Sequence, residues 1–277
     1  MNSVNLSHLF DLSDKIAAIT GGGGVLCSTL GRALAQAGAK VAVLDISAQA
    51  AQKAADEIHN NGGQAIWVEC DVLDKTSVER AAEAVVNAYG RVDILLNGAG
   101  GNKKGATTSQ VLPFFDLSVD AIQDVFNLNF MGTLIPCQIF GKRMADQGSG
   151  VILNISSMNA FRPLTRIPAY SAAKSAVRNF TQWLAVYVAQ EYSSSIRVNA
   201  IAPGFFLTQQ NRFLLIDEET GQWSSRGKAI IEHTPMGRFG VPDDLIGTVL
   251  WLLSNASSFV TGVVVPVDGG FSSFSGV

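Results

Sequence analysis

Tyr170 and Lys174 stand four residues apart, a spacing that puts both side chains on one face of a helix. A tyrosine with a pKa near 10 is a poor base at neutral pH. A neighbouring ammonium favours its phenolate, and each tenfold gain in ionisation is worth about 1.4 kcal/mol. Taken alone, Tyr-x-x-x-Lys is equally a solvated helix face. Ser157 lies thirteen residues before Tyr170, just past the apolar run Val151–Ile155, and can reach the same substrate oxygen. A second group is Thr20-Gly21-Gly22-Gly23-Gly24-Val25-Leu26-Cys27, between an apolar run and a helical pattern. Glycines there let backbone N–H groups approach a pyrophosphate, and the following helix N-terminus favours the anion. Read as G-x-G-x-x-G, the match is Gly22, Gly24 and Cys27, so the third position is small but not glycine. Asp45 lies 24 positions after Gly21, where an acid can bind the adenosine ribose hydroxyls. It would repel a 2′-phosphate, and Ile46 and Ser47 offer no cation to hold one. The turn therefore predicts NAD rather than NADP.

These groups need a scaffold that brings them together. Ile16–Thr20, Val41–Leu44, Ala65–Val68, Ile94–Leu96, Val151–Ile155, Ile196–Ala200 and Val263–Val267 read as strands. Helical patterns run from about Ser28 to Ala37, Gln49 to Asn60, Ser77 to Tyr89, Asp120 to Arg143, Ala169 to Gln190 and Asp243 to Leu253, with Pro136 a kink point in the fourth. The strands are continuous apolar runs that alternate with helices. That pattern predicts one α/β domain over residues 1–277: a doubly wound parallel sheet of Rossmann type, with helices on both faces. Ligands bind beyond the carboxyl ends of such strands. The irregular segments 101–116 and 205–240 are placed to frame a pocket, the second as a lid.

Composition removes other classes. Only 16% of the 277 residues are charged and 47% are hydrophobic, which excludes a disordered chain. A net charge of −3 gives no basic footprint for nucleic acid. No apolar run is long enough for a membrane span. Met1–Lys15 carries acids and no apolar run, so no secretory leader is expected. Cys27, Cys70 and Cys137 are odd in number and widely spaced, and His8, His59 and His233 are isolated, so neither a disulfide framework nor a metal site is expected. The expected setting is the cytoplasm.

The motifs stand in an order that resembles the short-chain dehydrogenase/reductase family over about residues 12–270. They are the Thr20-to-Gly24 turn, Asp45, Asp71-Val72, Asn97-Gly98-Ala99-Gly100, Asn129, Ser157, Tyr170-x-x-x-Lys174, Pro203-Gly204 and Asp268-Gly269-Gly270. The resemblance implies that Tyr170 is the general acid/base. It implies that Lys174 lowers the Tyr170 pKa and holds the nicotinamide ribose. Ser157 would bind the substrate oxygen and Asn129 would support a proton-relay water. The turn Gly21 to Leu26, with Gly98 and Ala99, would hold the cofactor. Asp71 and Val72 would contact the adenine, Asn97 would lie along the cofactor, and Pro203, Gly204 and Thr208 would bracket the nicotinamide. Ser156 is off by one in spacing to serve in place of Ser157. The chain departs from the family's Thr-Gly-x-x-x-Gly-x-Gly, which puts glycine where Val25 and Cys27 stand.

The sequence also resembles a narrower group, the short-chain-type mannonate oxidoreductases (fructuronate reductases). That resemblance lies in the Thr20–Cys27 turn, Asn97–Asn102, Thr234–Gly240 and the tail Gly270–Val277. It implies hydride transfer between NAD(H) and D-fructuronate or D-mannonate. Cations near the expected pocket agree with an acidic substrate: Lys103 and Lys104, Arg162 and Arg166, and Arg212, Arg226, Lys228 and His233 in the lid. Of these, Lys103, Arg162 and Arg212, with Asn102, are the substrate-binding candidates. Polar Gln209, Gln210 and Asn211 would suit a polyol. A dehydrogenase of another sugar acid or polyol, gluconate-type, is the alternative within the class. A non-catalytic NAD-binding sensor would have no need of the Asn129, Ser157, Tyr170 and Lys174 set. Apolar Phe180, Trp183, Leu184 and Tyr187 fit either a core or an oligomer face, and the family resemblance implies a homotetramer.

Overall fold

A computed structural model describes residues 6–208, 212–217 and 220–276, with backbone alone for Leu6, Ser7, Phe213 and Leu214. Seven strands form one parallel sheet: β1 (Ile16–Thr20), β2 (Lys40–Asp45), β3 (Gln64–Glu69), β4 (Ile94–Asn97), β5 (Gly150–Ile155), β6 (Ile196–Pro203) and β7 (Val264–Val267). Their order is β3-β2-β1-β4-β5-β6-β7. The long helices are α2 (Val25–Gln36), α3 (Ala48–Asn60), α4 (Lys75–Tyr89), α5 (Val119–Gln147) and α6 (Pro168–Glu191). Shorter ones are α1 (Leu6–Leu9), α7 (Arg212–Leu215), α8 (Ser225–Glu232) and α9 (Ile246–Leu253). The expected doubly wound α/β architecture is the one found.

Both faces of the sheet are covered, which is why the strands read as unbroken apolar runs. In β1, Ala17 and Ile19 face the layer that holds Leu30, Leu34, Val249 and Leu252. Ile16 and Ala18 face the opposite layer with Val78, Val85, Phe140 and Met144. β2 repeats the division, with Val41 and Val43 on one side and Ala42 and Leu44 on the other. A fully buried strand thus carries two apolar faces at period two.

Helix ends follow local chemistry. Ser47 caps α3 through Ala50 N–H, Asp74 caps α4 through Thr76 N–H, and Ser118 caps α5 through Ala121 N–H. Gly90 and Gly148 end α4 and α5 at φ +84° and +74°, where a side chain would be strained. Three boundaries differ from the sequence pattern. The second helix begins at Val25 rather than near Ser28, because the glycine turn leads straight into it. The fourth expected helix runs on to Gln147, past the expected Arg143, with Pro136 inside it. The segment expected as helix from Asp243 opens with a tighter turn, Pro242–Leu245, before α9. There the Asp244 carboxylate accepts from Val241 N–H and pairs with both Nη atoms of Arg238, which holds its pKa down to about 2.

The sheet reverses winding between β1 and β4, where Thr20 pairs with Asn97. This switch point opens the crevice in which such folds place ligands. At the far end, Arg197 of β6 is buried and has no carboxylate partner among the described residues. It donates to the carbonyls of Leu252 (2.9 Å), Ser254 (3.1 Å) and Val260 (3.3 Å) and to Ser257 Oγ (3.0 Å). It therefore bolts the end of α9 to the sheet. Arg197→Met would strand these acceptors and should cost about 2–4 kcal/mol of folding stability in urea denaturation. An unchanged midpoint would show the bolt to be dispensable.

Candidate active site

Beyond the carboxyl ends of β1, β4, β5 and β6 lies a groove of about 320 Å³. Gly21, Gly24, Val25, Leu26, Gly98, Ser157, Tyr170, Pro203, Gly204 and Thr208 are among its lining residues, all of them expected site positions. Two irregular stretches follow β4 and β6, and the second lines the groove at Phe205, Phe206 and Thr208. Residues 101–118 hold two short turns, Lys104–Ala106 and Phe114–Asp116. The 205–240 segment carries α7 and α8 around Leu215, Ile230 and Phe239.

The glycine turn is set by crowding. Gly21 has φ +61°, and a Cβ there would lie 2.8 Å from Ala99 Cα. Gly23 N–H donates to Asp45 Oδ2 at 3.0 Å, and Ser47 N–H donates to Asp45 Oδ1 at 3.0 Å. Asp45 thus braces the turn from the end of β2, and the cap of α3 falls to Ser47. No side chain caps the first turn of α2, and no acid lies in it. Its N–H groups face the groove end where Gly24, Val25 and Leu26 lie, an arrangement that suits a phosphate.

Cys27 explains the departure from the family's glycine. It is buried, and its Sγ would lie 2.1 Å from a Cβ on Gly98. The thiol occupies space that the glycine after Asn97 leaves empty. Burial pushes the Cys27 pKa up to about 12, so this sulfur is packing rather than a nucleophile.

The catalytic candidates converge from β5, α5 and α6. Ser157 follows β5; its hydroxyl accepts from Asn159 N–H at 3.3 Å and acts to lower the Tyr170 pKa. Ser156 is turned away, donating to the Lys174 carbonyl at 3.0 Å. Lys174 is buried with Nζ 2.8 Å from the Ile155 carbonyl and 5.5 Å from the Tyr170 ring centre. Burial lowers its pKa from 10.5 to about 8. Asn129 is fully buried on α5. Its Nδ2 donates to the Gly101 carbonyl (2.7 Å) and the Val125 carbonyl (2.8 Å), and its Oδ1 accepts from Gly101 N–H (3.3 Å). A Cβ on Gly100 would lie 2.7 Å from that Oδ1 and 3.4 Å from Lys174 Nζ, so the bare Gly100 leaves room for both side chains.

Several expectations meet a different arrangement. In the free chain Tyr170 has its pKa raised by burial, against a smaller lowering by the Ser157 bond. The Lys174 ammonium is itself desolvated and donates to the Ile155 carbonyl. The Asn97 side chain does not face the groove. It is buried and donates to Asn154 Oδ1 (2.9 Å) and Cys137 Sγ (3.2 Å), while Asn154 donates to Thr181 Oγ1 (2.9 Å). Among the substrate candidates, Lys103 pairs with Asp124 at 2.7 Å, Asn102 donates to Thr107 Oγ1 at 2.8 Å, and Arg162 donates to the Phe274 carbonyl at 2.6 Å. Arg212 opens α7 and is exposed. Asp71 accepts from Leu73 N–H, and Val72 is buried against Gly132. Gln209, Gln210, Asn211 and the Phe213 side chain lie outside the described residues. What spacing could not reveal were acceptors on the backbone, the Ile155 carbonyl above all. Among the described residues no group of His, Cys, Asp or Glu could hold a metal, and no helix is long and apolar enough to cross a membrane.

The short chain dehydrogenase family model matches residues 15–219. The chain belongs to this family of oxidoreductases. It is 49% identical to an uncharacterised oxidoreductase, UxuB, of Bacillus subtilis, over 96% of this chain and 98% of that protein. It is 31% identical to 5-keto-D-gluconate 5-reductase of Escherichia coli, over 96% of this chain and 98% of that one. The crystal structure of a provisionally assigned D-mannonate oxidoreductase from Haemophilus influenza, with bound NAD, superimposes with a TM-score of 0.92. That protein is 47% identical, covering 99% of this chain and 100% of its own.

Two expectations follow from the geometry. Gly98→Ala should destabilise the chain by about 1–3 kcal/mol through its clash with Cys27, and Cys27→Ala in the same chain should recover part of that loss. Additive losses in thermal or urea unfolding would refute the size coupling. The depressed Lys174 pKa also makes stability pH-dependent. Below about pH 8 the folded chain holds a buried cation; from there to the ordinary value of 10.5 the unfolded chain binds more protons, so stability rises with pH. The rise should amount to on the order of 3 kcal/mol and be absent in Lys174→Met. A parallel slope in the two proteins would remove Lys174 as its source.

Proposed function

We propose that the chain is an NAD(H)-dependent oxidoreductase that interconverts D-fructuronate and D-mannonate. The observation that carries the redox reading is the convergence of Ser157, Tyr170, Lys174 and Asn129 at one end of the groove, with the glycine turn at the other. The residues fit a nicotinamide dinucleotide. The uncapped first turn of α2 suits its pyrophosphate, and Asp45 has oxygens directed at the turn where ribose hydroxyls would lie. Asp45 favours NAD, because a 2′-phosphate would meet a carboxylate with no cation beside it.

When bound, the nicotinamide supplies or accepts the hydride at the substrate carbon. The chain's own share is the proton. In reduction Ser157 donates a hydrogen bond to the substrate carbonyl oxygen, and Tyr170 delivers its phenolic proton to that oxygen as negative charge develops there. A raised Tyr170 pKa keeps the phenol protonated at neutral pH, ready for that direction. Lys174 would hold the nicotinamide ribose, and its charge would stabilise the phenolate once the proton has left. Asn129, anchored through Gly101 and Val125, would support a water that returns the proton.

The sugar-acid assignment is supported by the Haemophilus relative and by the resemblance of the turn and tail. The gluconate-type relative names the competing acid. The same reading includes a homotetramer in the cytoplasm. Trp183 and Tyr187 of α6, stacked 4.9 Å apart, are 56% and 39% exposed, and so supply an aromatic face to bury.

Purified protein should oxidise NADH with D-fructuronate in preference to 5-keto-D-gluconate and to neutral D-fructose. Turnover on the neutral sugar alone would reject the substrate. Tyr170→Phe should lose about 10²–10⁴-fold in kcat while still binding NADH. Full activity in that variant would reject the proton-transfer role.

A further inference from the structure

After β7, residues 268–274 fold into a single tight turn. The Asp268 carboxylate accepts from the N–H groups of Gly270 (2.9 Å) and Ser272 (2.8 Å). Phe274 N–H then closes the turn on the Gly270 carbonyl at 3.1 Å. Gly269 and Gly270 have φ +63° and +89°, where a side chain would be strained. The root of the turn rests on the bare Gly204, where a Cβ would lie 2.6 Å from Asp268 Cβ.

This turn touches the chain on two sides of the groove. On one side is the segment that follows β6. The Phe271 ring meets the Phe205 ring edge-on, with centroids 5.2 Å apart and planes at 69°. Phe205 lines the groove together with Ser157 and Tyr170. Further along the same segment, Met236 N–H donates to the Gly269 carbonyl at 3.1 Å, and the His233 ring lies 6.3 Å from the Phe274 ring. On the other side is the connection from Ser157 to Tyr170. There Arg162 Nη1 donates to the Phe274 carbonyl at 2.6 Å.

We infer that the 268–274 turn is a strap that sets the width of the groove at its Tyr170 end, with Phe271 and Arg162 as positioning residues. The inference rests on the redox reading above and not on which acid is reduced. Its physical basis is the thin support of the 205–240 segment. That segment is built on two short helices and a small cluster around Leu215, Ile230 and Phe239, and weakly packed stretches of this kind open locally at low cost. The strap holds the segment near both ends, at Phe205 and at His233 and Met236, and passes that hold to the opposite wall through Arg162. The link to Arg162 is a charge-assisted hydrogen bond, stronger than a neutral one. Arg162 thereby acts on the site through the strap and not through a substrate carboxylate. Ser157 and Tyr170 stand at the two ends of the connection that Arg162 ties down, so releasing the strap loosens the wall that carries both.

The test uses the full chain with Arg162→Gln, Arg162→Lys and Phe271→Ala. The first readout is limited digestion with trypsin. Arg212, Arg226 and Lys228 are exposed cleavage sites on the strapped segment, and Lys75 and Arg80 of α4 are exposed reference sites. Arg162→Gln and Phe271→Ala should each speed cleavage within the segment by about three- to tenfold and leave the reference sites unchanged. Arg162→Lys should restore slow cleavage, because an ammonium can donate to the same carbonyl. In steady-state kinetics both variants should raise KM for D-fructuronate by a similar factor while KM for NADH holds. The double variant should add little to either single one, since each already releases the strap. Segment cleavage at the parental rate in both variants would overturn the strap. A rise in KM with Arg162→Gln that Phe271→Ala does not share would return Arg162 to carboxylate binding and also overturn it. No turnover of D-fructuronate or 5-keto-D-gluconate by the parent chain would reject the sugar-acid reading, and the digestion would still decide the strap.

Discussion

At the switch point of the sheet, the end of the first strand and the end of the fourth meet with no room for a side chain between them. Gly21 lies against Ala99 backbone, and Gly98 lies against the Cys27 sulfur. This contact fixes where α2 begins and how its free N–H groups face the groove. It also sets the position of Gly100, which in turn stands against Asn129 and Lys174. The site is therefore assembled outward from a backbone approach, and the reactive side chains are its periphery.

The second constraint is the fastening of α6 to the sheet. Asn97, Asn154 and Thr181 form a buried chain that ends on the Val177 carbonyl. Ser156 donates to the carbonyl of Lys174, and Lys174 donates back to the carbonyl of Ile155. The helix that carries Tyr170 is thus bolted on its sheet side at two levels. Buried polar groups of this kind are costly unless satisfied, and here the partners come from elements distant in sequence. That arrangement leaves Tyr170 and Ser157 as a pair turned toward the groove.

Much of this was legible in the residues. The alternation of apolar runs and helices marked the sheet, because both faces of each inner strand had to be apolar. The glycine turn, Asp45 and the Tyr170–Lys174 spacing were visible because each is a local pattern. Partnerships that depend on backbone atoms or on sequence-distant neighbours were not. The Ile155 carbonyl that holds Lys174 has no sequence signal. Asn97 reads as a cofactor contact from its motif, yet its strand position directs it inward. The coupling of Cys27 to Gly98 spans 71 positions and shows itself only as two separate oddities in the chain. Rim cations were identified by type, but spacing gave no hint that Lys103 had Asp124 within reach or that Arg162 held the tail.

Asp45 carries a consequence for how the protein could change over evolutionary time. The carboxylate proposed above to favour the unphosphorylated dinucleotide also holds the Gly23 and Ser47 amides. A single replacement that removed the carboxylate would leave the Gly23 and Ser47 amides each short of an acceptor, and even Asp45→Asn would keep only one of the two. Cofactor choice and turn integrity are consequently one trait rather than two. On that proposal, a path toward the phosphorylated dinucleotide would have to supply a cation and a substitute brace together, so the preference would be hard to change by single replacements.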